Sequence, residues 1–319
     1  DLTLFALEDR NDRKLGRFAA KALFSFSENL FFEAIWLPVQ RASEATFEEE
    51  SPFTSQPLLT LFDLGFDLKD FTLPEKKLSH SDVGLKVNFK LAGIDFSASF
   101  YDGYDPTPVL EILPTDGAGN YDPNFLAAAN KDLKAKLSRV TMWGVDFERT
   151  AGSFVVRGEA AYFSKGKLFR APLNNVELGL KYGPDGYLAQ KDYLDVTLGI
   201  DKNDFLVPQM YMNLQYSYSH VLDYEKGLLV ANGTALEAHN HAAIWNLSYD
   251  WGNMVYRLEF SGSYSFSHQD YLLSPSFHLK MGMETKLILG VHYFGGKKTT
   301  FLGQFQDKSF AFLKLEHLF

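Results

Sequence analysis

The chain has 319 residues, 46 % of them hydrophobic and 15 % aromatic, and a formal net charge of −9. That charge argues against a general nucleic-acid binder, and the absence of cysteine excludes a disulfide framework, a thiolate metal site and a cysteine nucleophile. No run of about 18 apolar residues exists, so no transmembrane helix is available, a criterion that says nothing about membrane-crossing strands.

The N-terminus, Asp1-Leu2-Thr3, has no basic or apolar leader, so an exported form is expected to have lost its signal peptide already. Strands are predicted over 2–9, 17–27 and 30–37, the first being the faintest pattern. A long connection over 38–82 follows. Its part from Glu44 to Glu50 is acidic, and its part from Leu58 to Leu73 is apolar with Asp63, Asp67, Lys69 and Asp70 interspersed. So many Leu and Phe residues favour packing over or into a barrel mouth above a mobile loop in water.

Period-two alternation then dominates. Val83, Leu85, Val87, Phe89 and Leu91 alternate with Gly84, Lys86, Asn88 and Lys90. After Ala92-Gly93, Ile94, Phe96, Ala98 and Phe100 alternate with Asp95, Ser97, Ser99 and Tyr101. One apolar and one polar face is the signature of a strand with a different solvent on each side. Further strands are predicted over 83–91, 94–104, 134–148, 153–163, 191–201, 208–220, 240–250, 254–266, 271–281, 285–295 and 310–319. Most are about 10 to 13 residues long, enough for a tilted crossing of a bilayer. Val176, Leu178, Leu180 and Tyr182 also alternate, but a strand there would break the rhythm of connections, so the segment is assigned to structure within a loop.

Short connections, as at Ala92-Gly93, 150–152, 251–253 and 282–284, alternate with long loops at about 38–82, 103–133, 164–190 and 221–239. The expected fold is all-β: a transmembrane antiparallel up-and-down β-barrel of about 14 strands (roughly 12 to 16), formed by residues 1–319 as one domain. An even count puts both termini on the short-turn, periplasmic side. A soluble sandwich, with its aromatic residues inside, is the competing architecture.

The last strand ends Phe310-Ala311-Phe312-Leu313-Lys314-Leu315-Glu316-His317-Leu318-Phe319. With Leu313 and Leu315 apolar and Phe319 terminal, it resembles the assembly signal of bacterial outer-membrane barrels, although His317 departs from the usual apolar residue. The segments Phe96 to Pro108 and Phe301 to Asp307 resemble uncharacterised proteobacterial porin-like barrels. The resemblance implies an integral protein of a Gram-negative outer membrane. Its expected partners are membrane lipid, lipopolysaccharide, the barrel-insertion machinery and small solutes, with no cofactor. The function it implies is a passive channel. A plugged or narrow barrel carrying hydrophobic molecules, or a scaffold for a partner, is the alternative.

If the apolar rows meet lipid, the opposite face lines the interior. Lys86, Lys90, Asp95, Arg157, Glu159, Asp195, Asp201, Arg257, Glu259, Lys280, Lys314 and Glu316 then point inward, because a charge in lipid costs about 2–4 kcal/mol at the midplane. They form either a neutralising network of cross-strand ion pairs or a selectivity ring set by Arg157, Arg257 and nearby carboxylates. Trp36, Trp143, Tyr162, Tyr216, Tyr218, Trp245, Tyr249, Tyr264 and Tyr293 are expected outward, at headgroup height. His239 and His241 share a strand face without an obvious third ligand, so a loop rim is favoured over a metal site. His278 and His292 are expected to line the interior. No Gly-x-Ser-x-Gly elbow or His-Glu-x-x-His run suggests catalysis.

Overall fold

The computed structural model describes residues 16–43, 51, 53–69, 73–75, 77–230 and 233–318. The expected strand at 2–9, the acidic run 44–50 and Phe319 lie outside these residues. In chain order the strands are β1 (Ala20–Ser27), β2 (Leu30–Leu37), β3 (Asp67–Leu68), β4 (Asp82–Leu91), β5 (Ile94–Tyr104), β6 (Val109–Thr115), β7 (Asn130–Lys136), β8 (Arg139–Ala151) and β9 (Phe154–Arg170). They continue as β10 (Leu188–Lys202), β11 (Met210–Val221), β12 (His239–Trp251), β13 (Tyr256–Ser265), β14 (Asp270–Met281), β15 (Thr285–Gly295) and β16 (Phe310–His317). Two helices, α1 (Gln56–Asp63) and α2 (Val176–Tyr182), lie in connections.

Thirteen strands form one sheet in the order β1-β2-β4-β5-β8-β9-β10-β11-β12-β13-β14-β15-β16. All neighbours in it are antiparallel, the topology of an up-and-down barrel wall. The missing numbers, β3, β7 and β6, make a separate small sheet beyond the wall. Among the described residues no ladder joins β1 to β16, so these are the edges of the described sheet.

The alternation read from sequence becomes a difference of solvent. Leu85, Val87, Leu198, Leu214, Leu258, Leu289, Leu313 and Leu315 all sit on one face and are exposed, Leu198 to 50 % and Leu315 to 60 %. The other face carries the charges and hydroxyls and is concave, for its side chains on β5, β8, β9, β10 and β11 converge on a shared recess. A soluble sandwich would bury the leucine rows; here they form the outer surface, which rules that architecture out.

Tight turns set the register. Ala92 and Gly93 both take positive φ, 52° and 75°. That is the conformation of a two-residue hairpin turn matched to strand twist, and it keeps Lys90 opposite Asp95 on the inner face. Gly158 is glycine for a different reason: a methyl there would overlap the ring of Phe147, the residue directly across on β8. The ring lies flat on the bare backbone of its neighbour.

The hydrophobic core lies outside the wall. Leu58 and Leu61 of α1, Phe66, Leu110 and Ile112 of β6, Leu133 and Ala135 of β7, Phe169, Leu178 of α2, Tyr187, Ala189, Val221, Leu228 and Leu236 form one buried cluster. All belong to the loop-side ends of strands or to the long loops, which thus pack into a cap. A smaller cluster of Leu272, Phe294, Leu302 and Phe305 lies at the β14–β16 end.

Several predicted boundaries shift. The strand expected at 134–148 is two: β7 belongs to the cap and β8 to the wall. The loops 103–133 and 164–190 are shorter than read, because β6 and β7 occupy part of the first and the β9–β10 hairpin extends into the second. Val176 to Tyr182 is loop structure as expected, and helical. Met254 and Val255 belong to a turn, since Asn253 and Met254 both adopt positive φ and β13 starts only at Tyr256.

Replacing Leu198 by Arg is expected to destabilise the folded protein in lipid vesicles by about 2–4 kcal/mol. Replacing Ser217, on the inner face, by Arg should cost far less. Urea titration of both variants in vesicles measures the difference; equal costs would mean that the leucine row does not face lipid.

Candidate functional site

The charges of the inner face are largely paired, and the pairs follow from strand register. Lys90 faces Asp95 across the β4–β5 turn at 3.0 Å. Lys86 reaches diagonally past β5 to Asp146 on β8, also at 3.0 Å. Arg157 on β9 bridges both neighbours, Glu148 on β8 at 2.9 Å and Asp201 on β10 at 3.1 Å. Asp201 is buried and also accepts hydrogen bonds from Tyr211 and Asn213.

On the next strands Arg257 donates from Nε and Nη2 to the two oxygens of Asp250, at 2.9 and 2.7 Å. Asn246 donates to Glu259 at 2.6 Å, and His278 lies 3.7 Å from the same carboxylate. Lys286 and Lys314 flank Glu316 at 3.5 and 3.0 Å. The two arginines of the expected ring are therefore each fixed to carboxylates on adjacent strands, in separate stretches of the wall. Among the described residues, Glu159, Asp195 and Lys280 join no ion pair.

Glu159 borders a recess of about 360 Å³ in the inner wall. Asp146 and Asp195 supply further carboxylates, Ser99, Thr197, Ser217 and Ser219 supply hydroxyls, and Met142 and Phe163 supply apolar surface. Lys86 balances Asp146, while among the described residues Glu159 and Asp195 join no salt bridge, so the described lining carries an excess of carboxylates. Asp195 was read from sequence as one inward charge among many; only the register of β8 to β11 brings it beside Glu159.

The cap stands over the loop-side end of the wall. The chain leaving β2 spans it. Phe53 packs on Phe305, Phe294 and Phe310 of the β15–β16 region, with ring centres 5.7, 6.2 and 6.3 Å away. A few residues later Leu58 and Leu61 of α1 enter the cluster that holds Phe169, Ala189 and Val221 of β9, β10 and β11. One segment thus touches both β16 and β9, which are distant in sheet order, as a strap across a mouth must. Gln304 accepts a 3.1 Å hydrogen bond from the Gln56 N–H, and Lys131 donates to the carbonyl of Leu64 at 3.0 Å. The chain returns to the wall at Asp82, a fully buried carboxylate that accepts from Arg17, the Tyr101 hydroxyl and the Tyr104 N–H.

A second polar knot closes the cap above β10. Glu225 accepts hydrogen bonds from Lys181 at the end of α2, from Lys191 and from the Tyr182 hydroxyl. Burial acts to raise its carboxyl, but the bonds from Lys181, Lys191 and Tyr182 outweigh it and hold the group down at about 2.

His239 and His241 point outward at the loop-side rim, opposite His220 and Tyr218, and His239 shares a 2.9 Å hydrogen bond with Tyr218. No group of three metal-ligating side chains converges among the described residues. His278 and His292 lie on the inner face. Ser276 and Glu259 both approach Nε2 of His278, so the three residues cannot form a relay, which needs the serine and carboxylate on opposite ring nitrogens. Outward aromatic rings cluster near both wall ends, Tyr249, Trp251 and Tyr256 stacking at the short-turn end. Leu313 and Leu315 line the exposed outer face of β16, and His317 beside them bonds Thr285.

No protein-family model matches the sequence, and no curated protein matches it. Among solved structures, the chain is similar to the outer-membrane channel DcaP of Acinetobacter baumannii, with 10 % identity over 93 % of this chain and 60 % of that one and a TM-score of 0.39. It spans about three fifths of the length of that channel. It is also similar to OccAB3 of Acinetobacter baumannii, with 8 % identity over 94 % of this chain and 67 % of that one and a TM-score of 0.43. A mutant of the Rh. blastica porin matches with 11 % identity over 94 % of this chain and 77 % of that one and a TM-score of 0.40.

Because the Glu225 carboxyl is held below its ordinary value of 4.5, its contribution to cap stability is complete above that value and is lost as pH falls towards about 2. Amide exchange over 176–191 and 222–230, corrected for intrinsic rates, should therefore accelerate between pH 5 and 2. In Glu225→Gln this step should vanish and exchange should be fast throughout; an unchanged step in the variant would assign it to another group.

Proposed function

We propose that the chain is an integral β-barrel of a Gram-negative outer membrane and a passive channel for small solutes, with a preference for cations. The observation that carries this reading is the inverted wall. Exposed leucine and aromatic rows on the outside suit lipid, and a charged, hydroxylated, concave inner face suits water. Along the described inner face, charged and hydroxyl groups outnumber apolar ones in the recess of β5 to β11. The cap is the natural control point, since α1 and the segment before it cross the mouth.

The cation preference rests on the recess. Paired charges cancel at a few ångströms, so the field felt by a passing ion comes from what is left unpaired. On β8 to β10 that remainder is negative, at Glu159 and Asp195.

Purified folded protein in a planar bilayer should conduct, and a potassium chloride gradient should give a reversal potential of the sign for cation excess. Replacing Glu159 by Gln together with Asp195 by Asn should move that potential towards the anion-selective side. Replacing residues 39–81 with a short turn should raise the single-channel conductance. Silence from inserted, folded protein even after that replacement would sink the channel reading.

A further inference from the structure

The strand register sorts the inner face of β5 to β11 into rows that run across the strands. Tyr101, Met142, Phe163 and Tyr193 are successive partners in the row nearest the cap. Ser99, Gly144, Ala161, Asp195 and Ser219 form the next row. Asp146, Glu159, Thr197 and Ser217 form the row beyond it. Rings and a thioether thus make one ledge, carboxylates and hydroxyls make the other, and a row of mostly small side chains is the floor between them. The recess of about 360 Å³ lies over that floor. Sites for small molecules typically span about 300–1,000 Å³, so there is room for a short ligand.

The two ledges ask for different halves of one ligand. On the cap side, Met142 and Phe163 line the recess with apolar surface, and the Phe163 ring is held by stacking on Tyr193 with centres 4.3 Å apart and planes 2° from parallel. On the other side, Glu159 faces Thr197 across β10, and Asp195 lies two residues along from Thr197. Diagonal neighbours of this kind stand roughly 7 Å apart, so one compact cation can meet both carboxylates. Thr197, Ser217 and Ser219 add hydroxyl oxygens beside them. Two cations of the chain stand near this lining, and each has a carboxylate of its own. Lys86 reaches Asp146 at 3.0 Å, and Lys167 leans towards Asp105 at 3.9 Å with its ammonium 5.4 Å from the Tyr193 ring. A hydrated inorganic cation would use the carboxylates alone; a ligand that uses both ledges has a charged head and a short apolar body.

We propose that the recess is a binding site for a small organic ammonium ion, a primary amine on a short alkyl chain, with its head at Glu159 and Asp195 and its chain against Met142 and Phe163. An ammonium head has three donors and no acceptor, and the carboxylates with their neighbouring hydroxyls supply oxygens for all three. Charge-assisted bonds of this kind are stronger than neutral ones, and the apolar ledge adds the burial of the chain. The inference deepens the channel reading and rests on it for the ligand's role, that of a solute held in transit along the wall.

The test is equilibrium dialysis of the full folded chain in non-ionic detergent micelles against labelled n-butylammonium, at neutral pH and constant ionic strength in potassium chloride, with protein-free micelles as the blank. One n-butylammonium is expected to bind per chain. Glu159→Gln combined with Asp195→Asn should weaken it by more than about tenfold, since the head loses both charged partners. Ala161→Leu, which fills the floor and keeps both carboxylates, should weaken it by about as much. Glu284→Gln, in the exposed β14–β15 turn, should leave it unchanged. Methylammonium should bind about tenfold more weakly than n-butylammonium, because it lacks the chain that meets the apolar ledge. If Ala161→Leu fails to fold, the comparison of the two amines on the unsubstituted chain carries the test. The proposal is overturned if the unsubstituted chain does not bind n-butylammonium, if it binds methylammonium as tightly, or if a folded variant of either kind keeps the full affinity. The channel reading fails separately: binding by a chain that is silent in a planar bilayer would remove the transit role and leave the site, and conductance without binding would remove the site and leave the channel.

Discussion

Most wall strands present an apolar row to the outside and a largely polar row to the inside, and the rest of the structure is bound by that arrangement. A lipid-like exterior offers no hydrogen-bond partner, so backbone groups must be satisfied strand to strand, and the antiparallel ladders from β1 to β16 do this. Side chains that carry charge are left only the concave face. There they stand two residues apart along a strand and about 5 Å apart across strands, close enough that like charges would repel. The alternation of Arg157 with Glu148 and Asp201, and of Arg257 with Asp250, is the local solution. These pairs keep the inner face neutral over most of its area, and the few unpaired groups thereby gain influence.

The same constraint explains where the hydrophobic core went. A soluble domain buries its leucines between layers, but this wall has already committed its leucines to the outside. Burial that stabilises by exclusion of water is available only where the chain leaves the wall. The long connections use it: α1, β6, β7, α2 and the hairpin extension contribute Leu58, Leu110, Leu133, Leu178 and Phe169 to a single cluster. Buried apolar area contributes roughly 25 cal/mol per Å², so a cluster of this kind can hold these elements in one arrangement. A cap secured mainly by apolar contacts, with only a few polar ties, can separate from the wall without breaking the wall's ladders.

The wall was legible in the sequence because each of its strands carries two different faces. β2, β5 and β15 match their predicted bounds, since turn residues close each of them at both ends. The strand at 134–148 was not, because Leu133 and Ala135 alternate in phase and no turn residue marks their separation from β8. The division there is tertiary: Ser138 donates to the carbonyl of Gly166 and accepts from the N–H of Asp105, turning the chain from cap to wall. α2 left a readable trace in Asn175, whose side chain caps Leu178, and in Glu177 of its first turn, but the alternation of Val176, Leu178 and Leu180 masked it. The inward charges were identifiable by parity alone, whereas their pairing was not, since parity fixes a face and register fixes a neighbour. Glu225 and Arg170 gave no signal, because everything that makes them unusual comes from other loops.

Wall and cap therefore use charge differently. In the wall, compensation is built in by register, which keeps Arg157 within reach of Glu148 and Asp201 as long as the ladders hold. In the cap, compensation depends on loops meeting. Glu225 draws Lys181, Lys191 and Tyr182 from α2, its C-terminal end and β10, and loses all of them if those elements separate. Arg170, buried at the end of β9 close to Gly233, joins no ion pair among the described residues. A rigid wall with fixed pairs and a separable cap with conditional ones divides the labour. On the channel reading proposed above, permeation would depend on the wall, and control over access on the contacts between the loops of the cap.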